Sequence, residues 1–112
     1  MNENRRADPR FRISQMVRCG NHKDIDLWAA AKELSRSGFS AEATFRVEPG
    51  SIISAILELP YGFGMRSVRV RGRVAHSHMV EDVCEFGVRI SEFGEDDRRA
   101  WEDYVEGLEA QA

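Results

Sequence analysis

The chain has 112 residues, of which 42% are hydrophobic and 31% are charged, and its formal net charge is −3. This length suits one compact domain with a modest core, and the composition argues against global disorder. The negative net charge argues against a general nucleic-acid binder. No apolar run approaches the roughly 20 residues that cross a bilayer, and the N-terminus lacks the apolar stretch of a signal peptide. We therefore expect a cytoplasmic protein that does not insert into a membrane.

The first residues predict an extended, flexible arm with a positive charge. Residues 1–18 carry five arginines and two acidic residues. Pro9 disfavours helix at the residue before it. We assign residues 1–11 to this arm and residues 12–112 to the folded domain. A positive arm on an acidic protein favours a local anionic ligand over a long polyanion.

Alternation of apolar and polar residues predicts several short strands, because period 2 is typical of half-buried antiparallel sheets. The cleanest case is 39–47, where one face carries Phe39, Ala41, Ala43, Phe45 and Val47. Similar patterns predict strands at about 11–19, 51–59, 66–75 and 83–90. Residues 25–34 are ambiguous, because their alanines and lysine favour helix. The turn signals on both sides of this segment suit a strand better, and we predict a strand.

The spacing of apolar residues changes to three and four near the C-terminus. Trp101, Tyr104, Val105 and Leu108 form one apolar stripe, which predicts a helix at about 95–109. Three acidic residues, 95–97, are expected in its first turn, where they complement the helix dipole, and Gly94 is an acceptable cap.

Six strands joined by tight turns would close into a small barrel, because closure removes unpaired strand edges. The predicted fold class is therefore all-β, a six-stranded antiparallel β-barrel with a C-terminal α-helix.

The sequence gives no support for catalysis or for a metal site. Two of the three histidines, His76 and His78, would point the same way on a strand, but two ligands do not make a metal site. No Ser-His-Asp order has the context of a nucleophile elbow. The stretch Gly62-Phe-Gly64 indicates a turn and not a dinucleotide-binding loop. We expect a binding protein that is not an enzyme and that needs no metal or cofactor.

The two cysteines, Cys19 and Cys84, are far apart in the sequence and have no metal-type spacing. In a cytosolic protein such residues are most often buried, reduced and apolar in behaviour.

Two short segments carry residues suited to a phosphate-bearing ligand. The arm contains Arg5, Arg6 and Arg10, and guanidinium groups fork onto phosphate oxygens and stack on bases. The second segment contains Glu33 and Ser35, which would share one face of a strand. A carboxylate accepts two N–H donors, as the edge of guanine offers, and a serine hydroxyl donates to a phosphate or a base.

In this order the two segments resemble the signature of the PilZ domain family. Arg6 and Arg10 fit an RxxxR motif before the first strand, and Ser35 and Gly38 fit a (D/N)xSxxG motif on the second strand and its turn. The resemblance extends along the chain. Its opening is Arg-Arg-Ala-Asp-Pro-Arg-Phe-Arg-Ile, and its closing segment comprises Gly72–His76, Cys84–Ile90 and the acidic-start helix through Trp101.

The resemblance implies a bacterial receptor whose ligand is cyclic di-GMP, a second messenger with two guanines and two phosphates. By position, Arg6 and Arg10 would hold phosphates and stack on guanines, with help from Arg5. Ser35 and Gly38 would line the pocket. One more site residue is His76, which falls where many members place a tryptophan against the ligand.

The chain departs from the family pattern at one place, because Glu33 stands where Asp or Asn is expected. The longer carboxylate favours a second hypothesis, a PilZ-fold adaptor that binds no nucleotide and acts only through proteins. In the first hypothesis the arm becomes ordered over the nucleotide and the chain signals to an unidentified protein partner.

A third hypothesis is a nucleic-acid-binding barrel, with Arg69, Arg71 and Arg73 as its platform. Such platforms usually interleave exposed aromatic residues for base stacking. Here the aromatic residues fall mostly on inward faces or in turns, so the sequence disfavours a nucleic-acid partner.

Overall fold

The computed structural model describes residues 9–21 and 24–111, and the side chains of 21 and 24–26 are not described. Six strands are followed by one helix: β1 (Phe11–Asn21), β2 (Asp24–Leu34), β3 (Gly38–Ala43), β4 (Ile52–Tyr61), β5 (Gly64–Val80), β6 (Val83–Phe93) and α1 (Asp97–Gln111). All neighbouring strands are antiparallel, and they close into a barrel in the order β1-β2-β3-β6-β5-β4. The predicted six-stranded barrel with a C-terminal helix is confirmed.

The ambiguous segment 25–34 is confirmed as part of a strand. It pairs with β1 on one side and with β3 on the other, for example at Ala31 with Gln15 and with Ala41. Two ladders of backbone hydrogen bonds outweigh the weak helix preference of alanine and lysine, because propensity differences amount to only a few tenths of a kcal/mol per residue.

The predicted strand at 39–47 is too long, because β3 ends at Ala43. Ala43 pairs with Cys84, which is the second residue of β6, so that neighbour extends only one residue further. The chain bends after this point, yet Val47 is still buried in the core. The alternation of apolar and polar residues therefore extends beyond the end of β3.

Helix α1 begins at Asp97 and not at residue 95. Asp96 has a φ of +66°, which no α-helix accepts, and the Asp97 N–H donates to the carbonyl of Gly94 at 3.0 Å. Two of the three expected first-turn acids therefore lie before the helix. Among the described residues, α1 is neither long enough nor apolar enough to cross a membrane.

The core fills the barrel and extends under α1. Trp101 and Val105 of the helix are fully buried, and the Trp101 ring lies 5.8 Å from the ring of Phe93 at the end of β6. Both cysteines are buried and free, as expected. Burial raises the pKa of Cys19 to about 11, so its thiol stays protonated and unreactive at neutral pH.

The start of α1 is tied to β5 by a buried carboxylate. Asp97 is 7% exposed. Its Oδ2 accepts the backbone N–H of Arg69 at 2.9 Å, and its Oδ1 lies 2.9 Å from Nη2 of Arg66. This ion pair and hydrogen bond raise the pKa of the Arg66 guanidinium. The carboxylate thus fixes the helix against the barrel wall.

We expect Asp97→Ala to lower the free energy of unfolding by about 1–3 kcal/mol, because it leaves the backbone N–H of Arg69 without its acceptor and removes the carboxylate that pairs with Arg66. Urea denaturation followed by circular dichroism measures this change. The control is Asp103→Ala on the exposed side of the same helix, which should change stability by less than about 0.5 kcal/mol. Equal effects of the two substitutions would show that Asp97 does not anchor the helix.

Candidate ligand-binding site

A cavity of about 160 Å³ opens where the β2–β3 turn meets the middle of β6. Its lining includes six apolar residues or glycines: Leu34, Gly38, Phe39, Ala75, Gly87 and Val88. The other six lining residues are polar or charged: Arg10, Glu33, Ser35, Ser37, Ser40 and Arg89. Four of the seven predicted site residues therefore meet in one cavity: Arg10, Glu33, Ser35 and Gly38.

The two motifs are joined by a direct contact. Nη1 of Arg10 lies 3.9 Å from Oε1 of Glu33, and both side chains are partly exposed. Arg10 is the last residue of RxxxR, and Glu33 stands at the first position of the second motif. The other two predicted arginines, Arg5 and Arg6, lie outside the described residues.

The turn after β2 is held by hydrogen bonds on several sides. The backbone N–H of Ser35 donates to the carbonyl of Gly38 at 2.9 Å, and the N–H of Ile90 donates to the carbonyl of Ser37 at 2.8 Å. From below, Nε1 of the buried Trp101 donates to the carbonyl of Ser35 at 2.9 Å. Strand β2 ends at Leu34, so the expectation that Glu33 and Ser35 share one strand face is wrong. The serine is positioned by the turn.

The helix also holds the turn through an exposed ion pair. Arg36 contacts Glu109 with two nitrogen–oxygen distances, 2.7 Å and 3.2 Å, and this hydrogen-bonded contact raises the pKa of Arg36. Such a two-bond pair is more directional than a single contact, although water screens it. Trp101 in the first half of the helix and Glu109 near its end therefore both contact this one turn.

Gly38 is required because β3 and β6 approach each other too closely for a side chain. A Cβ at this position would collide with the carbonyl oxygen of Val88. Gly38 pairs with Arg89 in the β3–β6 ladder and starts β3 directly after the turn. The glycine of the second motif is thus explained by packing of backbone against backbone.

His76 is exposed and lies at the rim of the site. A bulge between β5 and β6 shifts the register, so that Val74 pairs with Val88 and His76 pairs with Gly87. The skipped residue, Ala75, lines the cavity, while the imidazole of His76 lies against Gly87. A ligand contact from His76 stays a prediction.

Sequence reasoning missed three polar residues of the cavity, Ser37, Ser40 and Arg89. Alternation already placed Ser40 on the polar face of β3, and Arg89 follows the inward Val88. Their meeting depends on register, because Ser40 pairs with Glu33 and Arg89 pairs with Gly38. A two-residue period defines faces and does not define register.

The cavity wall carries more positive than negative charge. Arg10 and Arg89 provide two guanidinium groups, and Glu33 provides one carboxylate. Within the described part of the chain, Arg89 makes no ion pair. No cluster of described residues could hold a metal ion. The excess of guanidinium groups among these lining residues suits an anion.

The described chain is thus a small closed β-barrel domain with a cavity at the β2–β3 turn that two arginines and one glutamate line. A family model described as the PilZ domain matches residues 4–107, so the chain belongs to the PilZ domain family. A search of curated proteins gives no match.

Solved structures share this fold at low sequence identity. The inhibitor of motility MotI/DgrA from Bacillus subtilis is 14% identical with a TM-score of 0.79, over 95% of this chain and 52% of that one. YcgR from Escherichia coli, in complex with c-di-GMP, is 13% identical with a TM-score of 0.72, over 96% and 47%. The complex of MrkH from K. pneumonia with c-di-GMP is 20% identical with a TM-score of 0.69, over 95% and 52%. The chain spans about half the length of these proteins.

We expect Gly38→Ala to destabilise the domain by about 1–3 kcal/mol and to distort the cavity, because the new Cβ would push β3 away from β6. The matched control is Gly64→Ala, since a Cβ at Gly64 meets nothing within 4 Å. Thermal unfolding measures stability, and amide chemical shifts of residues 35–40 report the distortion. A stable Gly38→Ala protein with unchanged shifts would contradict this explanation of the glycine.

Proposed function

We propose that this protein is a bacterial receptor for cyclic di-GMP that passes its signal to a protein partner. One observation carries the proposal: Arg10 of the first motif and Ser35 and Gly38 of the second line a single cavity. Family membership and the c-di-GMP complexes of YcgR and MrkH support it.

The phosphates of the ligand would bind the arginines. Arg10 stands at the cavity edge, and Arg5 and Arg6 precede it in the sequence. Guanidinium groups bind phosphate oxygens through paired hydrogen bonds and stack on flat bases, so an arginine arm suits both parts of the ligand. Arg89, which also lines the cavity, would add a fourth cation for the same phosphates.

The guanine would bind at the β2–β3 turn. The Glu33 carboxylate can accept the two N–H groups on the edge of guanine, and the Ser35 hydroxyl can donate to an oxygen of the ligand. Gly38 lets β3 lie close to β6 at the side of this turn. His76 would contact the base from the rim, in line with the resemblance.

Closing the arm over the nucleotide would change the surface that a partner meets. Fixing the backbone of a free arm costs about 1–2 kcal/mol per residue, so the contacts must be charge-assisted and several in number. Three arginines on a doubly charged ligand meet this requirement. The role is that of a binding module in the cytoplasm, with no reaction catalysed.

We expect Arg10→Ala to weaken cyclic di-GMP binding by about 10- to 100-fold, because it removes a charge-assisted hydrogen bond worth about 1.5–3 kcal/mol. Isothermal titration calorimetry measures the affinity, and circular dichroism checks the fold. The control Arg69→Ala removes the same charge from the outer face of β5, away from the cavity. It should bind as the unchanged protein does. Similar affinities for both variants would reject the assigned site.

A second candidate function is an adaptor that binds no nucleotide. The Arg10–Glu33 contact favours it, because a carboxylate 3.9 Å from the guanidinium can compete with a phosphate for the same cation. Glutamate has the reach to make this contact from a position where the family expects a shorter residue.

Substitutions at Glu33 separate the two functions. For a receptor we expect Glu33→Asp to bind as well as or better than the unchanged protein, because the carboxylate stays while Arg10 is released. Glu33→Gln should bind about tenfold less tightly, because an amide keeps one acceptor and adds donors that face the donors of guanine. If the unchanged protein gives no heat and Glu33→Asp binds, the glutamate blocks the site and the adaptor is correct. If neither binds, the nucleotide is not the ligand.

A further inference from the structure

A second groove lies between α1 and the β4–β5 turn. Its volume is about 290 Å³, and its lining includes Pro60, Tyr61, Asp103, Tyr104, Gly107 and Leu108. We call it the turn–helix groove. It shares no lining residue with the cavity described above.

The turn beside this groove exposes several large apolar side chains. Phe63 is fully exposed at its tip, and Tyr61 and Met65 are about half exposed on either side. Isolated exposed apolar residues are common, but a cluster of them next to an apolar groove marks an interaction surface. Aromatic residues in particular provide large contact area at low entropic cost.

Gly107 keeps the groove open. It lies inside α1, where glycine is less favourable than alanine. A Cβ at this position would meet nothing within 4 Å, so packing within the described chain does not require the glycine. Its effect is to let another backbone approach the helix closely at the floor of the groove.

The rim of the groove is acidic. Of the carboxylates on α1, Glu102 pairs with Arg98 and Glu109 pairs with Arg36. Asp103, which lines the groove, makes no ion pair with any described residue, and the last turn of the helix carries no basic residue. Glu106 lies outside the lining, and its charge acts on Arg36 together with that of Glu109. The apolar surface therefore lies beside negative charge that the described chain does not neutralise.

We propose that the turn–helix groove docks a segment of a partner protein with large apolar side chains flanked by lysine or arginine. The apolar side chains pack against Phe63 and into the groove, and the cations pair with Asp103 and lie near the C-terminal end of the helix, whose last turn carries no basic residue. Complementary charge sets the choice of partner, because an acidic segment or an anionic membrane would be repelled by the same carboxylate and helix end. The proposal does not depend on nucleotide binding.

The test uses the full chain without nucleotide and two labelled helical peptides of about 14 residues, or four turns. One has a leucine face flanked by lysines, and the other has glutamate at every lysine position. We expect the lysine peptide to bind with a Kd tighter than about 1 mM and the glutamate peptide to bind at least about tenfold more weakly. Amide chemical shifts should change at Gly62 and Gly107.

Two variants of the groove sharpen the test, and both should fold. Phe63→Ser removes an exposed side chain, and Gly107→Gln adds one that projects into open space. Each should weaken binding of the lysine peptide by at least about tenfold. The control Met79→Ser changes a half-exposed apolar residue at the far end of β5 and should have no effect. Asp103→Lys should reduce the preference for the lysine peptide over the glutamate peptide.

Three results would overturn the proposal. They are equal affinity for the two peptides, equal effects of Phe63→Ser and Met79→Ser, and no binding of the lysine peptide at about 1 mM. Sedimentation adds a fourth test. If the chain self-associates and Phe63→Ser makes it monomeric, the groove holds a second copy and the proposed partner is wrong.

Discussion

The hydrogen bond from the indole of Trp101 to the carbonyl of Ser35 joins the helix, the core and the β2–β3 turn in one contact. The indole is fully buried, so its N–H must find an acceptor, and the turn supplies one 66 residues away in sequence. The helix can dock in only one position if this bond forms, and the turn can adopt only one path. The bond from Ile90 to Ser37 and the close contact of Gly38 with Val88 then fix the other side of the turn. The turn that forms one side of the cavity is therefore held from the helix, from β6 and from the core.

The sequence predicted the faces of the strands better than their ends. Alternation identified the inward residues of β3 and β6, because burial on one side of a sheet imposes period 2. It did not locate the end of β3, since Val47 is buried without being in a strand. The position of the cavity followed from two motifs that resemble a family, and neither motif alone would have placed Arg10 beside Glu33. Ser40 and Arg89 line the cavity because of the strand register and its bulges. Register and bulges depend on strand pairing across the whole barrel.

The site has two parts: Ser35 and Gly38, which backbone contacts hold rigidly, and the oppositely charged pair Arg10 and Glu33. Ser35 and Gly38 are held by backbone contacts that a ligand need not create, so little ordering is required there. Arg10 and Glu33 are partly exposed and lie 3.9 Å apart, which is a weak interaction in water. A phosphate with two oxygens is a stronger partner for the guanidinium than this carboxylate. Whether Arg10 binds a phosphate or the Glu33 carboxylate distinguishes the receptor from the adaptor proposed above.

Barrel closure has a further consequence for association. Each described strand pairs with two neighbours, and only strand ends, such as 11–16 of β1 and 58–61 of β4 at the β1–β4 seam, lack a partner on one side. A partner that adds its own strand meets only these short edges, and closure reduces edge-to-edge aggregation. Side chains on turns and on the helix offer more surface for recognition, and single substitutions can retune it there. A barrel of this kind can diverge in its partners while its core and topology stay the same.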